Sequence, residues 1–169
     1  MPAAKLTESE LRFLRTLLRR KVRFMVVGLS AAALQGAPVV TQDVDLWFED
    51  LNDPGFQKAV REAGAAYVPP FDLNPPMLAG AGTELFDIVL RMDGLGRFSD
   101  ELKHCLNIPL GRYRMKVLSL QRILASKRAA NRPKDKLVIP VLEDSIEAKE
   151  ISSPSRRKPR RKRAVQRRR

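Results

Sequence analysis

Apolar residues recur along the chain at two different spacings, which predict helices and strands that alternate. Four leucines between positions 11 and 18 recur at helical intervals, and Thr7 with Glu10 has the spacing of a capping box. Residues 7–20 are therefore expected to form a helix. The apolar run 22–27 that follows predicts a mostly buried strand.

Apolar runs and breaker residues predict the other elements in the same way. Residues 67–82 hold four prolines and two glycines, so we expect mostly loop with room for a short strand. Because strands and helices alternate, the predicted class is α/β or α+β with a small mixed sheet. Further strands are expected at 39–48, 85–91 and 113–118. Further helices are expected at 30–34, 54–63, 99–105 with Ser99 as N-cap, 120–130 after Ser119, and 134–147, where Pro140 should kink or split the helix.

The composition fits one globular domain. The chain has 169 residues, of which 44% are apolar, and its apolar runs are too short to span a bilayer. The first residues lack a long apolar stretch and a cleavage site, so no secretory signal is expected. With no apolar run long enough to span a bilayer, a membrane is not the expected partner. A single cysteine, Cys105, excludes an intramolecular disulfide and fits a reducing cytoplasm, where we expect the protein to be located.

The positive charge is concentrated in the last residues. The formal net charge is +13, but residues 156–169 carry ten Lys or Arg and no acid, which leaves 22 basic and 19 acidic residues for the rest. We therefore predict one domain over residues 1–151 and a disordered basic tail over 152–169. Clustered cations on such a tail bind polyanions by counterion release, and RNA is the leading expected partner. The alternatives are a solvated tail without a dedicated partner, an anionic protein or a membrane surface. The candidate nucleic-acid-binding residues are Arg156, Arg157, Lys158, Arg160, Arg161, Lys162 and Arg163.

Carboxylates recur inside two of the predicted strands. Asp43 and Asp45 are two residues apart, so on a strand they point the same way, about 7 Å apart. Asp87 lies between Phe86 and Ile88, and on a neighbouring strand it would join the pair. Three such carboxylates suit Mg²⁺, which prefers hard oxygen ligands. The alternative is a solvated acidic strand face.

A glycine turn precedes the carboxylates. The apolar strand that ends at Val27 is followed by Gly28 and Ser30, and Asp43 comes 15 residues after Gly28. Backbone N–H groups at such a turn bind phosphate, and a serine can donate its hydroxyl. The alternative is an ordinary strand-to-helix turn.

Taken in order, these motifs resemble those of the nucleotidyltransferase superfamily, the DNA polymerase β-like fold. The resemblance runs from about residue 22 to 144 and is closest to small bacterial nucleotidyltransferase-like proteins, which include toxins of toxin–antitoxin systems. The family motifs are an apolar strand ending in a glycine turn, Thr-x-Asp-apolar-Asp, a later acid, and a strand, helix and basic segment. Their places are taken by Val27 to Ser30, Thr41 to Asp45, Phe86 to Ile88, and Val117 to Asp135 with Lys127 and Arg132-Pro133-Lys134-Asp135.

The resemblance implies a minimal nucleotidyltransferase fold and a metal-dependent enzyme. It implies that Asp43 and Asp45 hold two Mg²⁺ ions and that Asp87 binds the catalytic ion and is a candidate to accept the proton of the attacking hydroxyl. Gly28 and Ser30 would hold the β- and γ-phosphates of a nucleoside triphosphate. Departures from the family pattern occur at Leu29, where a second small residue is usual, and at residues 35–38, where an Arg is common.

The resemblance assigns one further basic residue to the site. The resemblance makes Lys127 a candidate to reach the triphosphate. The residue pattern alone also allows Lys127 to be a solvated helix lysine or a partner for Asp135.

Two functions are compatible with the sequence. The first is transfer of a nucleoside monophosphate to a hydroxyl of an RNA, such as a tRNA, or of a protein, in a toxin that has an antitoxin partner. The second is a non-catalytic binding module of the same fold, which the basic tail tethers to nucleic acid.

Overall fold

The helix predicted at the start of the chain is present with its capping box. In the computed structural model, which describes residues 6–152, α1 spans Glu8–Arg19. The Thr7 hydroxyl accepts a hydrogen bond from the Glu10 N–H at 3.3 Å, and the Glu10 carboxylate accepts one from the Thr7 N–H at 2.6 Å. Phe13, Leu14 and Leu17 on the apolar side of α1 are fully buried.

A mixed sheet of seven strands forms the centre of the described residues. Its strands lie in the spatial order β3-β4-β5-β2-β1-β7-β6. The pairs β2–β5 and β1–β7 are parallel, and the other neighbours are antiparallel. The strands are β1 (Phe24–Val27), β2 (Val44–Phe48), β3 (Ala66–Val68), β4 (Met77–Ala79), β5 (Phe86–Val89), β6 (Cys105–Leu110) and β7 (Tyr113–Leu118).

Helices cover both faces of this sheet. Phe13 of α1 packs against Phe86 of β5, with ring centroids 5.4 Å apart. On the opposite face, Trp47 of β2 makes an edge contact with Phe98, at 5.8 Å. The predicted mixed α/β class is therefore confirmed. The other helices are α2 (Gly28–Leu34), α3 (Pro54–Glu62), α4 (Phe98–Glu101), which continues as a 3-10 turn (Leu102–His104), α5 (Leu120–Ala130) and α6 (Pro133–Ser152).

One predicted strand is shorter than expected, and one strand was missed. The strand expected over 39–48 begins only at Val44, so Asp43 lies in the bend before β2. The segment 67–82 is mostly loop, as predicted, and it contains the short strand β4 and the end of β3, which pair antiparallel at one edge of the sheet. Strand β6 was not predicted, and it contains Pro109. An edge strand tolerates proline, since its outward N–H side has no ladder partner.

Two helices differ in detail from the prediction. Helix α4 has Arg97, not Ser99, at its N-cap, and Asp100 accepts a hydrogen bond from the Arg97 N–H at 3.2 Å. Helix α6 is not split at Pro140 and continues to Ser152. Pro140 is exposed, so solvent can satisfy the carbonyl that loses its helical partner.

None of the helices in the described part of the chain is both long and apolar enough to cross a membrane. The predicted tail from residue 153 onward, with its seven candidate nucleic-acid-binding residues, lies outside the described residues.

Candidate active site

Asp45 and Asp87 lie side by side on neighbouring parallel strands. The β2–β5 register pairs Asp45 directly with Asp87, so both side chains leave the same face of the sheet. Their neighbours Val44 and Leu46 are buried on the other face. Asp43, in the bend before β2, lines the same cleft as Asp45 and Asp87. The structure thus brings the three predicted carboxylates together.

Burial and mutual repulsion make this cluster electrostatically unfavourable. Burial raises the pKa of Asp45 to about 6, and the negative charges of Asp87 and Asp43 add to the effect. Lys127 and Lys134 act in the opposite direction. The pKa of Asp87 is also raised, first by burial and then by Asp43. A bound cation would relieve this repulsion.

The three carboxylates have no protein partner within residues 6–152. None of the hydrogen bonds or ion pairs between these residues reaches the side chains of Asp43, Asp45 or Asp87. Asp135 is different, because its Oδ1 lies 2.8 Å from Lys127 Nζ. The free oxygens of the cluster are therefore available to a ligand.

The three carboxylates line an open cleft and do not surround a single metal position. Within the described residues, no group of three or more His, Cys, Asp or Glu side chains is arranged around a single metal position. The cleft has a volume of about 310 Å³ and is lined by both carboxylates and cations. Mg²⁺ commonly binds to one or two carboxylates and completes its shell with water and substrate phosphates. The donor set fits that mode of binding.

Gly28 makes room for the carboxylate of Asp45. Its φ of +62° lies in the left-handed region, which favours glycine. A Cβ at this position would lie 2.0 Å from Asp45 Oδ2. The predicted phosphate contact of Gly28 remains a prediction, and the structure adds a second reason why glycine is needed there.

The Ser30 hydroxyl joins the glycine turn to β2. Ser30 is buried, its Oγ donates a hydrogen bond to the Val27 carbonyl at 2.9 Å, and the Asp45 N–H donates to the same Oγ at 3.3 Å. The hydroxyl proton is thus already used, and a phosphate would have to compete for it. Nucleotide binding by Ser30 stays a prediction. Leu29, between Gly28 and Ser30, forms part of the cleft wall.

Lys127 connects α5 to α6 at the rim of the cleft. Its Nζ donates to Asp135 Oδ1, and the Asp135 side chain is 1% exposed. Burial works to raise the pKa of Asp135, but the hydrogen bond and charge of Lys127, together with the N–H and charge of Arg132, outweigh it and the pKa is lowered. Lys127 therefore has the structural partner that the sequence offered as its alternative. It also lines the cleft, where its predicted contact with a triphosphate is untested.

Two further cations at this cleft were not assigned to the site from the sequence. Arg132 and Lys134 line it at the start of α6, and Arg132 is held by an ion pair with Asp93 at 2.8 Å. Lys134 is exposed and has no ion pair with another described residue. The signal was the basic segment around Pro133, since proline favours the first position of a helix and places its neighbours at the helix start.

No family model matches the chain, and no curated protein sequence matches it. Two solved structures have a similar fold. One is the crystal structure of ANT(2'')-Ia in complex with adenylyl-2''-tobramycin, with a TM-score of 0.56, 15% identity, and coverage of 83% of this chain and 88% of that one. The other is the solution structure of the antibiotic-resistance factor ANT(2'')-Ia, with a TM-score of 0.56, 15% identity, and coverage of 85% and 86%.

ANT(2'')-Ia is an aminoglycoside nucleotidyltransferase. At this level of identity the likeness concerns the fold, and it agrees with the order of motifs in the sequence. The chain shares its fold with these two ANT(2'')-Ia structures.

Proposed function

We propose that the protein is a Mg²⁺-dependent nucleotidyltransferase that transfers a nucleoside monophosphate from a nucleoside triphosphate to an acceptor hydroxyl. The observation that carries this proposal is the direct pairing of Asp45 with Asp87, with Asp43 in the same cleft. The fold, which is that of nucleotidyltransferases, supports it.

Asp43, Asp45 and Asp87 would hold the metal. When bound, Mg²⁺ neutralises phosphate charge and orients the reacting groups. The three side chains fit this role because they are acidic, adjacent and free of partners among residues 6–152.

The chain's own residues would position the substrates. The acceptor hydroxyl attacks the α-phosphorus, the bond to pyrophosphate breaks, and Asp87 is the candidate to take the hydroxyl proton. Arg132 and Lys134 place positive charge in the same cleft, where the triphosphate needs it. The turn at Gly28 and Ser30 would contact the β- and γ-phosphates, with Lys127 at the rim.

The acceptor that we propose is an RNA, such as a tRNA, or a protein, because the basic tail attracts polyanions. The toxin role and its antitoxin partner rest on the sequence resemblance alone. A small molecule is a further acceptor class to test, since ANT(2'')-Ia was solved with adenylyl-2''-tobramycin.

The test is transfer of label from each α-³²P nucleoside triphosphate with Mg²⁺. Total RNA, total protein and tobramycin serve as separate acceptors. We expect transfer by the wild type and a loss of at least about 100-fold in Asp45→Asn and Asp87→Asn, because electrostatic groups at a transition state contribute at least that much. Asp144→Asn, on the exposed side of α6, is the matched control and should keep full activity. Full activity in Asp45→Asn would show that the site is assigned wrongly.

The second candidate is a non-catalytic module of the same fold. Leu29 in the cleft wall and the hydroxyl of Ser30, already bonded to Val27, favour this alternative. Isothermal titration with each triphosphate and Mg²⁺ separates the two functions. Absence of heat with all four nucleotides, together with no transfer of label, would favour the non-catalytic module.

A further inference from the structure

The sheet face that carries the carboxylates continues past Asp87 onto β4 and β3. Met77 pairs with Asp87 across β4 and β5, and Val68 pairs with Met77 across β3 and β4. Because directly paired residues of neighbouring strands point to the same face, Met77 and Val68 share the face of Asp87 and Asp45. The order across the sheet on this face is therefore Val68, Met77, Asp87 and Asp45.

Strands β3 and β4 present a small apolar surface to solvent on this face. Ala66 pairs with Ala79, and each is two residues from Val68 or Met77, so all four side chains point the same way. All four are exposed, Met77 to 52% and Val68 to 40%. We call Ala66, Val68, Met77 and Ala79 the apolar platform.

The opposite face of the same two strands is packed against the core. Tyr67 lies on Phe56 of α3, with ring centroids 5.5 Å apart, and Leu78 is 5% exposed. The exposure of the platform therefore belongs to one face of an ordered hairpin. Single exposed apolar residues are common on protein surfaces, so it is the position of these four, next to the carboxylates, that gives them meaning.

The hairpin that carries the platform is almost uncharged. Asp72, in the turn that joins the two strands, is the only charged residue from 65 to 79. The hairpin thus offers a polycation such as tobramycin a single acid. A flat, neutral group such as a nucleobase suits the platform, because it can cover apolar side chains without leaving a charge unpaired. Paired residues lie about 5 Å apart across the strands and successive rows about 7 Å apart along them, which is the scale of a purine ring.

The proposed nucleotidyl transfer, on which this inference rests, brings the acceptor in from the platform side. In phosphoryl transfer the attacking and leaving oxygens lie roughly in line, on opposite sides of the phosphorus. Gly28 and Lys127, the candidates to bind the β- and γ-phosphates, lie on the β1 side of Asp45. Asp87, the candidate to take the hydroxyl proton, lies on the other side, between Asp45 and Met77. The attacking hydroxyl therefore arrives beside Met77.

We propose that the apolar platform binds the base of the acceptor nucleotide, and that the acceptor is the end of a single-stranded RNA. A ribose hydroxyl and its base belong to the same nucleotide, so a base on Met77 leaves the hydroxyl close to Asp87, whose side chain starts about 5 Å away on the next strand. The thioether of methionine makes favourable contacts with aromatic rings. The excess of basic residues in the sequence favours a polyanion over a protein as the acceptor.

The test measures how much the terminal base contributes to RNA binding. One fluorescently labelled oligouridine ends in adenosine, and a second ends in an abasic ribose with the same hydroxyls. Anisotropy gives the affinity of the full-length protein for each RNA with Mg²⁺ at about 0.3 M salt, where contacts between the basic tail and phosphates are weakened. The wild type should bind the adenosine-ended RNA about three- to tenfold more tightly. Met77→Ser should bind both RNAs equally, and Met77→Leu should keep most of the preference.

Leu106→Ser is the matched control. Leu106 lies on β6, at the other edge of the sheet, and is 44% exposed, so the substitution removes a similar apolar side chain far from the platform. The control should keep the full preference for the adenosine-ended RNA. Circular dichroism reports the folding of each variant.

Equal binding of the two RNAs by the wild type, or an unchanged preference in Met77→Ser, would overturn the proposal. The binding test needs no catalysis, so it can fail while nucleotidyl transfer is confirmed, and a base preference that Met77→Ser abolishes would support the contact even without transfer. Where transfer to RNA occurs, Met77→Ser should raise the KM for RNA at least about threefold and leave the KM for the triphosphate unchanged. If Met77→Ser loses transfer to total protein but keeps its base preference, the platform binds a protein acceptor and the RNA proposal is wrong.

Discussion

The carboxylate of Asp45 occupies the space that a side chain at residue 28 would need. The Cβ position of Gly28 lies 2.0 Å from Asp45 Oδ2, well inside van der Waals contact. The glycine turn and the central carboxylate are therefore one packed unit, and a change in either residue must move the other.

Substitution of Gly28 by alanine should displace Asp45. Two costs combine, because alanine is strained at a φ of +62° and its methyl group collides with the carboxylate. We expect roughly 1–2 kcal/mol from the backbone conformation, and a further loss from the collision. Urea unfolding measures the stability, and the nucleotidyl transfer assay should show at least a tenfold loss of activity.

Gly64→Ala separates these two costs. Gly64 has a φ of +71°, but nothing lies within 4 Å of its Cβ position. It should therefore show the backbone strain and keep its activity. Equal activity in Gly28→Ala and Gly64→Ala would show that the contact with Asp45 is not needed for function.

Asp45→Asn should stabilise the protein at pH 7 without metal. Burial and the nearby Asp87 raise the pKa of Asp45 from 3.8 to about 6, so the folded state keeps a proton that the unfolded state releases between these values. The stability contribution of Asp45 falls as pH rises through that window and stays low above it. Removing the charge should raise the free energy of unfolding at pH 7 by roughly 1–3 kcal/mol.

The measurement is urea unfolding of wild type and Asp45→Asn at pH 7 and at pH 4. The stability difference should shrink toward pH 4, and Mg²⁺ at pH 7 should stabilise the wild type more than the variant. A variant that is less stable than wild type at pH 7 would contradict this account of the site.

The ion pair between Glu101 and Arg122 should make the stability of the fold sensitive to acid. Glu101 is 2% exposed, and its carboxylate accepts two hydrogen bonds from Arg122, at 2.6 and 2.7 Å. The hydrogen bond from Arg122 holds the pKa of Glu101 below its ordinary value of 4.5. Since the folded pKa is lowered, the pair stabilises the fold above about pH 4.5, and this stabilisation is lost as pH falls through the folded pKa.

Glu101→Gln should lower the free energy of unfolding at pH 7 by roughly 2–3 kcal/mol, because Arg122 loses its carboxylate in a partly buried place. The substitution should also make the free energy of unfolding fall less between pH 5 and pH 3. Glu147→Gln, exposed on α6, is the matched control and should change neither quantity. Identical acid transitions in wild type and Glu101→Gln would rule the pair out as the acid-sensitive contact.

The sequence predicted the elements whose pattern is local. The capping box of Thr7 and Glu10 and the strand over 113–118 need only neighbouring residues, and both are present. Strand β6 was missed, and its Pro109 is tolerated only where a strand has an empty edge, which is a property of the whole sheet.

In the site, too, the features set by neighbouring residues could be predicted and those set by the sheet could not. The acids were predicted from their spacing, and the β2–β5 register brings Asp45 and Asp87 together. Which partner the Ser30 hydroxyl binds could not be predicted, because Val27 and the Asp45 N–H approach it only through the turn and the pairing of β1 with β2. The positions of Arg132 and Lys134 in the cleft depend on where α6 begins relative to the sheet.

Leu29 should limit nucleotide binding if the cleft is the active site. It is half-buried and forms part of the wall beside Asp43, Asp45 and Asp87, where a smaller residue would leave more room for phosphates. Leu29→Ser should tighten binding of a non-hydrolysable triphosphate with Mg²⁺ by about three- to tenfold, equivalent to about 1 kcal/mol. Titration calorimetry measures the affinity.

Leu34→Ser is the matched control, since Leu34 lies on the same helix, is 38% exposed and is not part of the acidic cleft. It removes similar apolar area and should leave nucleotide affinity unchanged. Weaker binding in Leu29→Ser, with Leu34→Ser unaffected, would mean that Leu29 packs against the nucleotide instead of obstructing it. The leucine would then be a substrate contact, and the departure from the family pattern would be part of how this cleft selects its nucleotide.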